Sequence, residues 1–210
     1  PLSTHDKSSG LIDEEGYFWK SRELLRQNIR KDAAEVELRA QIDTTLKKGI
    51  DITHLDCHMG IGLIPELIDI YIKLGKDYQL PIVLPRNITD SLNIFKMEGI
   101  KISLYKSIIN KLKKENYPLI DHFKITPGFS SKQTRAGYKK SISNIQKGIT
   151  FFSLHPNKPG IIKEIDPDKY YWRTDEYEIF KSEFISKCMN MYGVKTTNFR
   201  QIRDVLREIL

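Results

Sequence analysis

The stretch Thr53-His54-Leu55-Asp56-Cys57-His58-Met59 alternates ionisable residues with less polar ones. On an extended chain successive side chains point to opposite faces. A strand over 52–58 would therefore carry His54, Asp56 and His58 on one face and Thr53, Leu55, Cys57 and Met59 on the other. Three ionisable groups on one face of a buried strand are costly unless they meet a metal, hydrogen-bonding groups or one another. His58 falls at the C-terminal end of that strand, where α/β folds gather their sites. Gly60 and Gly62 follow, giving a loop able to approach a ligand closely. Spacing alone leaves two readings open: satisfied structural polar groups at a strand end, or a site.

Outward from this segment, strands and helices alternate. Residues 1–20 are irregular, punctuated by Ser8-Ser9-Gly10 and Gly16, and a short helix follows Ser21. Leu38, Ile42 and Leu46 recur every four residues and predict a helix capped by Asp32 and ended by Gly49. Pro65 suits the first turn of a helix whose stripe is Leu67, Ile70, Tyr71 and Leu74, ahead of Gly75. Residues 82–84 read as a buried strand between Pro81 and Pro85, Thr89 as the cap of a short helix, and 100–103 as a strand. A helix over 104–115, a strand over 119–123, a helix over 132–147 and a buried strand over 149–154 continue the pattern. A long helix over 175–190, a strand over 194–196 and a helix from Asn198 to about 209 close it. This alternation predicts a single α/β domain over 1–210 with a mainly parallel sheet. Five or six strands are too few for an eight-stranded α/β barrel of about 250 residues. Either the sheet is open or part of a barrel is absent.

Composition narrows the class. The 40% hydrophobic and 29% charged content is that of a soluble globular chain. No apolar run approaches the roughly 20 residues that span a bilayer, so no membrane partner is expected. Cys57 and Cys188 make no disulfide framework and share no metal-ligand spacing, which fits a reducing, cytoplasmic setting. The net charge of +7 comes from lysines scattered over predicted helices among acidic residues, with no nucleic-acid motif beside them. Solvated helix faces, not a nucleic-acid surface, follow. The chain opens on Pro1 rather than methionine, and a preceding segment is expected.

A second polar cluster ends the strand over 149–154, where His155-Pro156 follows Ile149-Thr150-Phe151-Phe152-Ser153-Leu154. If the sheet is parallel, His155 and His58 lie at the same end of it and can converge on one cleft. A histidine there suits proton transfer or an oxyanion contact; a plain loop histidine ahead of Pro156 is the alternative. Arg86, after the strand over 82–84, could contact substrate or form a surface ion pair. Trp172-Arg173 with Glu176 precedes the long helix, and Trp172 reads as packing rather than a sugar platform. Asp166-Pro167-Asp168 has turn chemistry. His5 and His122 read as incidental.

Together these residues resemble a known family. Thr-His-Leu-Asp-Cys-His at 53–58 is similar to the Thr-His-Leu-Asp-Ser-His signature of YdjC-like carbohydrate deacetylases, which include chitooligosaccharide deacetylases. Leu11-Ile12-Asp13-Glu14-Glu15-Gly16-Tyr17-Phe18, Leu38-Arg39-Ala40-Gln41-Ile42, Leu84-Pro85-Arg86, His155-Pro156 and the Trp172-Arg173-x-x-Glu176 region resemble the family in the right order. The resemblance implies a distorted (β/α) barrel of the deacetylase type and hydrolysis of an N-acetyl group from an amino sugar. It implies a divalent metal ion, Mg2+ or Zn2+, with His58 as metal ligand. His54 and Asp56 become supporting polar groups, Arg86 and Arg173 residues near substrate, and His155 the catalytic acid toward the leaving amine. Such a metal would polarise the amide carbonyl and acidify a bound water.

The family's paired aspartates and second metal-binding histidine have no counterpart in this chain, which implies a domain incomplete at its N-terminus. Cys57 stands where the signature has serine, on the face turned from the cleft. The expected partner is an acetylated amino-sugar substrate, and assembly as a homodimer is allowed. The alternative function is a non-catalytic carbohydrate-binding relative that kept the cleft and lost the remaining catalytic groups.

Overall fold

The computed structural model describes residues 1–89, 101–128 and 133–209. In chain order its helices are α1 (Arg22–Asn28), α2 (Lys31–Lys47), α3 (Ile68–Asp77), α4 (Ile102–Lys114), α5 (Thr134–Ser143), α6 (Ile162–Ile165), α7 (Tyr170–Lys181), α8 (Phe184–Met191) and α9 (Phe199–Ile209). Two strands, β1 (His122–Ile125) and β2 (Thr150–Ser153), pair in parallel. Short 3-10 turns occupy Lys7–Ser9 and His58–Leu63. Residues 1–210, read from sequence as one domain, group into two compact units. One comprises Pro1–Leu84, Phe95–Leu119 and Asn198–Leu210; the other comprises Pro85–Ile94 and Ile120–Thr197.

In the first unit, α2 and α3 pack about a core of Leu11, Ile12, Ala34, Ile42, Ile64, Leu67, Ile70 and Leu74. The stripe expected on α3 is the buried one. Helix α1 starts where Ser21 Oγ accepts from the Leu24 N–H. Asp32 lies inside the first turn of α2 rather than capping it, because the helix already begins at Lys31. Gly49 does end α2: at φ 74° it turns left-handed, its N–H reaches Leu46 O, and the Ile50 N–H reaches Thr45 O.

Gly75 does not end α3. The same left-handed turn falls at Gln79 (φ 51°), with the Leu80 N–H donating to Gly75 O. Gly75 is there for closeness instead, since a Cβ on it would lie 2.3 Å from Tyr117 Oη and 2.6 Å from Ile82 Cγ2.

The strand expected over 52–58 shrinks to one parallel bridge, Leu55 with Ile82. The Leu55 N–H donates to Pro81 O at 2.8 Å and the Val83 N–H to Leu55 O at 3.0 Å. Extending that ladder toward residue 53 needs an N–H at residue 81, which is a proline; toward residue 57 it needs the Cys57 N–H, which donates to Asp56 Oδ1 instead. The strand expected over 82–84 is shortened for the same reason, although Ile82, Val83 and Leu84 are fully buried as anticipated.

The second unit is built on β1 and β2, in the register His122 with Thr150 through Ile125 with Ser153. Helices α5, α7 and α8 cover a core of Tyr138, Ile142, Ile179, Ile185 and Cys188. The strand expected at 119–123 begins three residues later, and the Asp121 and His122 N–H groups both donate to Ile149 O at its start. The helix expected over 175–190 is two helices. Ser182 breaks it with an extended backbone, its hydroxyl donating to Ile179 O and accepting from the Phe184 N–H. The strand expected at 194–196 is absent. Val194 instead closes α8, its N–H donating to Met189 O behind the left-handed Gly193.

Asn198 caps α9 as expected, Oδ1 accepting from the Gln201 N–H. The cap expected of Thr89 falls to Asn87, whose Oδ1 accepts from the Thr89 N–H; the remainder of the short helix expected there, and residue 100 of the strand expected at 100–103, lie outside the described residues. Ile102 and Ser103 belong to α4. Residue 132 of the helix expected over 132–147 also lies outside, and α5 ends at Ser143. No helix among the described residues is long and apolar enough to cross a membrane.

Candidate functional site

The signature segment sits in the first unit on extended backbone that turns at His58 into a 3-10 turn. Met59 (φ 58°) and Gly60 (φ 69°) are both left-handed, and for methionine that conformation is unusual. Burial keeps the alternation of the sequence only over 56–58, where Asp56 and His58 are exposed and Cys57 turns inward; Thr53, His54 and Leu55 are all half-buried, and Met59, expected on the Cys57 face, is exposed. Burial pushes the Cys57 thiol up to about 11, opposed in part by a hydrogen bond from the Gly62 N–H. Tyr71 Oη donates to Leu55 O at 2.6 Å and accepts the Val83 N–H at 3.1 Å, stitching the bridge to α3. Burial keeps that phenol protonated far beyond its usual range. Gly62 serves packing, because a Cβ there would stand 3.0 Å from the Tyr71 ring and 3.1 Å from Cys57 Sγ.

The three polar residues do not converge. His54 lies half-buried, stacked on Phe199 at 4.0 Å with rings nearly parallel, and its Nδ1 is 2.9 Å from Thr53 Oγ1. Burial lowers its pKa, offset partly by the nearby Asp56 carboxylate. Asp56 accepts the Cys57 N–H through Oδ1 at 2.8 Å. His58 and Asp56 border a cavity of about 700 Å³ whose walls include Phe18, Trp19, Leu38 and Leu55. Among the described residues no group of three or more His, Cys, Asp or Glu side chains could hold a metal ion.

The second unit holds a tighter arrangement. His155 follows the end of β2, and the expected strand-end position is met. Its backbone N–H donates to Glu176 Oε2 at 2.5 Å, and its Nδ1 lies 2.9 Å from Thr126 Oγ1, just past β1. Thr126 Oγ1 donates to Glu176 Oε1 at 2.7 Å, and Tyr138 Oη donates to the same oxygen. Glu176 is wholly inaccessible to solvent. Burial, then the Glu176 carboxylate, raises the Tyr138 pKa well above the usual phenol range. Trp172 meets the His155 ring edge-on at 5.7 Å, as a packing residue would.

The two arginines are engaged. Arg173 lies over the Trp172 ring at 4.5 Å, and its Nε reaches Asp166 at 3.3 Å. Arg86 pairs with Asp121 at 3.0 Å, the ion-pair alternative of the sequence reading, and Asp121 also accepts the Ile149 N–H. His122 Nε2 lies 3.3 Å from Lys147 O.

Sequence reasoning named Glu176 without giving it a role, and passed over Thr126 and Tyr138. A signal was present. Trp172, Glu176 and Ile179 share one face of α7, so a carboxylate interrupts an apolar stripe. A charge in that position has to find donors.

A carbohydrate deacetylase of Thermus thermophilus is 27% identical over 177 residues, covering 83% of this chain and 61% of the relative. One of Thermoanaerobacter pseudethanolicus is 25% identical over 134 residues, covering 58% and 54% respectively. The chain thus spans less than two thirds of either relative's length. A crystal structure from Enterococcus faecalis, described provisionally as a cellobiose-phosphate cleavage protein, superimposes with a TM-score of 0.69 over 92% of this chain and 69% of that one, at 20% identity; the fold is shared. The family model for YdjC-like proteins matches residues 1–190, and the chain belongs to that family.

Proposed function

We propose that this chain forms part of a carbohydrate deacetylase that hydrolyses the N-acetyl group of an amino sugar or short acetylated oligosaccharide. The observation that carries the reading is His155, held at the end of β2 by a hydrogen bond on its ring and another on its backbone. Two curated relatives named carbohydrate deacetylase support the substrate class. Deacetylation adds water across the amide, breaks the C–N bond, and needs a proton on the departing amine. A positioned imidazole supplies that proton. The same reading takes the parallel pairs as part of a distorted (β/α) barrel.

Metal chemistry of this kind needs about three protein ligands and an open position. Here His58 is a single exposed imidazole, and Asp56 already accepts the Cys57 N–H. The described residues do not fit a metal by themselves, and no step is assigned to one. The test is acetate release from N-acetylglucosamine oligomers by the product of the complete reading frame, with Mg2+ or Zn2+, against its His155→Ala variant. Release that falls at least about 100-fold in the variant is expected. No release with either metal, or release unchanged by the substitution, rejects the proposal.

A further inference from the structure

We infer that Glu176, acting through the Thr126 hydroxyl, is a positioning residue that fixes the His155 ring with its proton on Nδ1 and leaves Nε2 as the nitrogen that exchanges protons with substrate. The inference rests on the deacetylase reading only for the identity of that substrate. The hydroxyl of Thr126 has one proton and three neighbours that could take it: Glu176 Oε1 at 2.7 Å, His155 Nδ1 at 2.9 Å and Ser153 O at 3.2 Å. The Glu176 oxygen is the nearest, and a hydrogen bond to a carboxylate is about twice as strong as one between neutral groups. Ser153 O already receives the Thr126 backbone N–H at 2.9 Å. With the hydroxyl proton committed to Glu176, Thr126 Oγ1 faces Nδ1 with a lone pair, and only an Nδ1–H makes that contact attractive.

The carboxylate is held just as firmly. Among the described residues, the polar groups that hydrogen-bond to Glu176 are all donors: the His155 N–H, the Thr126 hydroxyl and the Tyr138 phenol. One buried side chain on α7 therefore grips His155 twice, at its backbone directly and at its ring through Thr126. Trp172, one turn earlier on α7, closes the ring edge-on and limits its rotation. Arg173 is turned to Asp166 and the Trp172 face. The arrangement has the logic of a histidine oriented by a buried acid, with a hydroxyl inserted between them. No proton passes to Glu176. The ring receives a proton at Nε2, becomes imidazolium, and returns it from Nε2 to the amine.

The test reads the tautomer directly, so it does not depend on turnover. Two-bond 1H–15N spectra of the 210-residue chain, at a pH where imidazole is neutral, should show His155 with a protonated Nδ1 and a pyridine-like Nε2. Thr126→Val should move the proton to Nε2, and Thr126→Ser should restore the wild-type pattern. If the complete enzyme deacetylates, Thr126→Val should lower kcat by about tenfold or more with KM within about twofold, and Thr126→Ser should recover most of the loss. An Nδ1–H tautomer that reverses in Thr126→Val supports the inference even where no acetate is released, a result that would count against the deacetylase reading alone. Wild-type His155 protonated on Nε2, or a tautomer indifferent to Thr126→Val, overturns the inference whatever the activity.

Discussion

Replacing Gly75 by alanine sets two well-measured effects against each other. Gly75 lies within α3 on ordinary helical backbone, where alanine is favoured over glycine by about 1 kcal/mol. If helix propensity ruled, Gly75→Ala would stabilise the protein. The added methyl, however, would sit 2.3 Å from Tyr117 Oη, 2.6 Å from Ile82 Cγ2 and 3.1 Å from Leu80 O. Overpacking of this kind costs about 1–3 kcal/mol. Moving Tyr117 aside also breaks its buried 2.6 Å hydrogen bond to Leu80 O, worth about 1–3 kcal/mol if the carbonyl is left without a donor. The balance is a loss of about 1–5 kcal/mol, or a melting temperature lower by roughly 2–20 °C. Urea and thermal unfolding followed by circular dichroism would measure it. Tyr117→Phe removes the nearest atom of the clash, so the double variant should lose less than the sum of the singles; Ile82 keeps part of the cost in place. A Gly75→Ala protein as stable as the wild type, or more so, would show that α3 is not pressed against Tyr117 and Ile82 in this way.

Tyr138→Phe keeps the ring but removes a buried donor to the Glu176 carboxylate, and should cost about 1.5–3 kcal/mol in urea denaturation. Gln79 ends α3 in the left-handed region, so Gln79→Gly should raise stability by about 0.5–1 kcal/mol in the same assay. Burial would raise the Glu37 pKa, but donors from Gln41, Ser3 and the Leu2 and Ser3 N–H groups outweigh it and hold the carboxyl at about 2. Its stabilisation is complete above the ordinary glutamate range and lost as pH falls from about 4.5 toward 2. Glu37→Gln should therefore be less stable than wild type at pH 7, with the two unfolding free energies converging near pH 2. Arg203, nearly inaccessible, donates to Ile52 O at 2.9 Å and pairs with Asp51 and Asp204; Arg203→Met should cost about 1–3 kcal/mol by leaving that carbonyl without its donor.

The legible parts of this fold were those set by local chemistry. Ser21 and Asn198 announced their helices because a short oxygen acceptor before an apolar pattern has one obvious use. The buried stripe of α3 and the burial of 82–84 were equally plain. Strand extent was not, because it depends on a partner. Pro81 and Pro85 were read as punctuation around one strand, whereas the missing N–H of Pro81 also stops the segment paired with that strand at Leu55 from pairing on its N-terminal side, and the Cys57 N–H is spent on Asp56. Gly75 looked like a helix end because the contact it permits comes from Tyr117, distant in sequence. Val194 carries a strand-forming side chain, yet its N–H is used to close α8. At the site, the strand-end position of His155 was visible from the apolar run before it. What holds His155 was not visible, since Thr126, Tyr138 and Glu176 stand on three separate elements.

The attachment of α9 to the signature segment bears on the order in which the protein assembles. Phe199 stacks on His54, and Arg200 and Arg203 both bind Asp51, joining positions about 150 residues apart along the chain. On a ribosome adding roughly 5–20 residues per second, the segment that presents His58 waits on the order of 10–30 s for its last support to be made. Until then Ile52 O lacks its guanidinium donor and one face of His54 lacks its ring. Contacts this distant in sequence also slow folding, because a long loop must close before they form. β1, β2 and the helices that cover them are contained within residues 120–197, so a released chain truncated after residue 197 should protect β1 and β2 from hydrogen exchange while leaving 51–58 open.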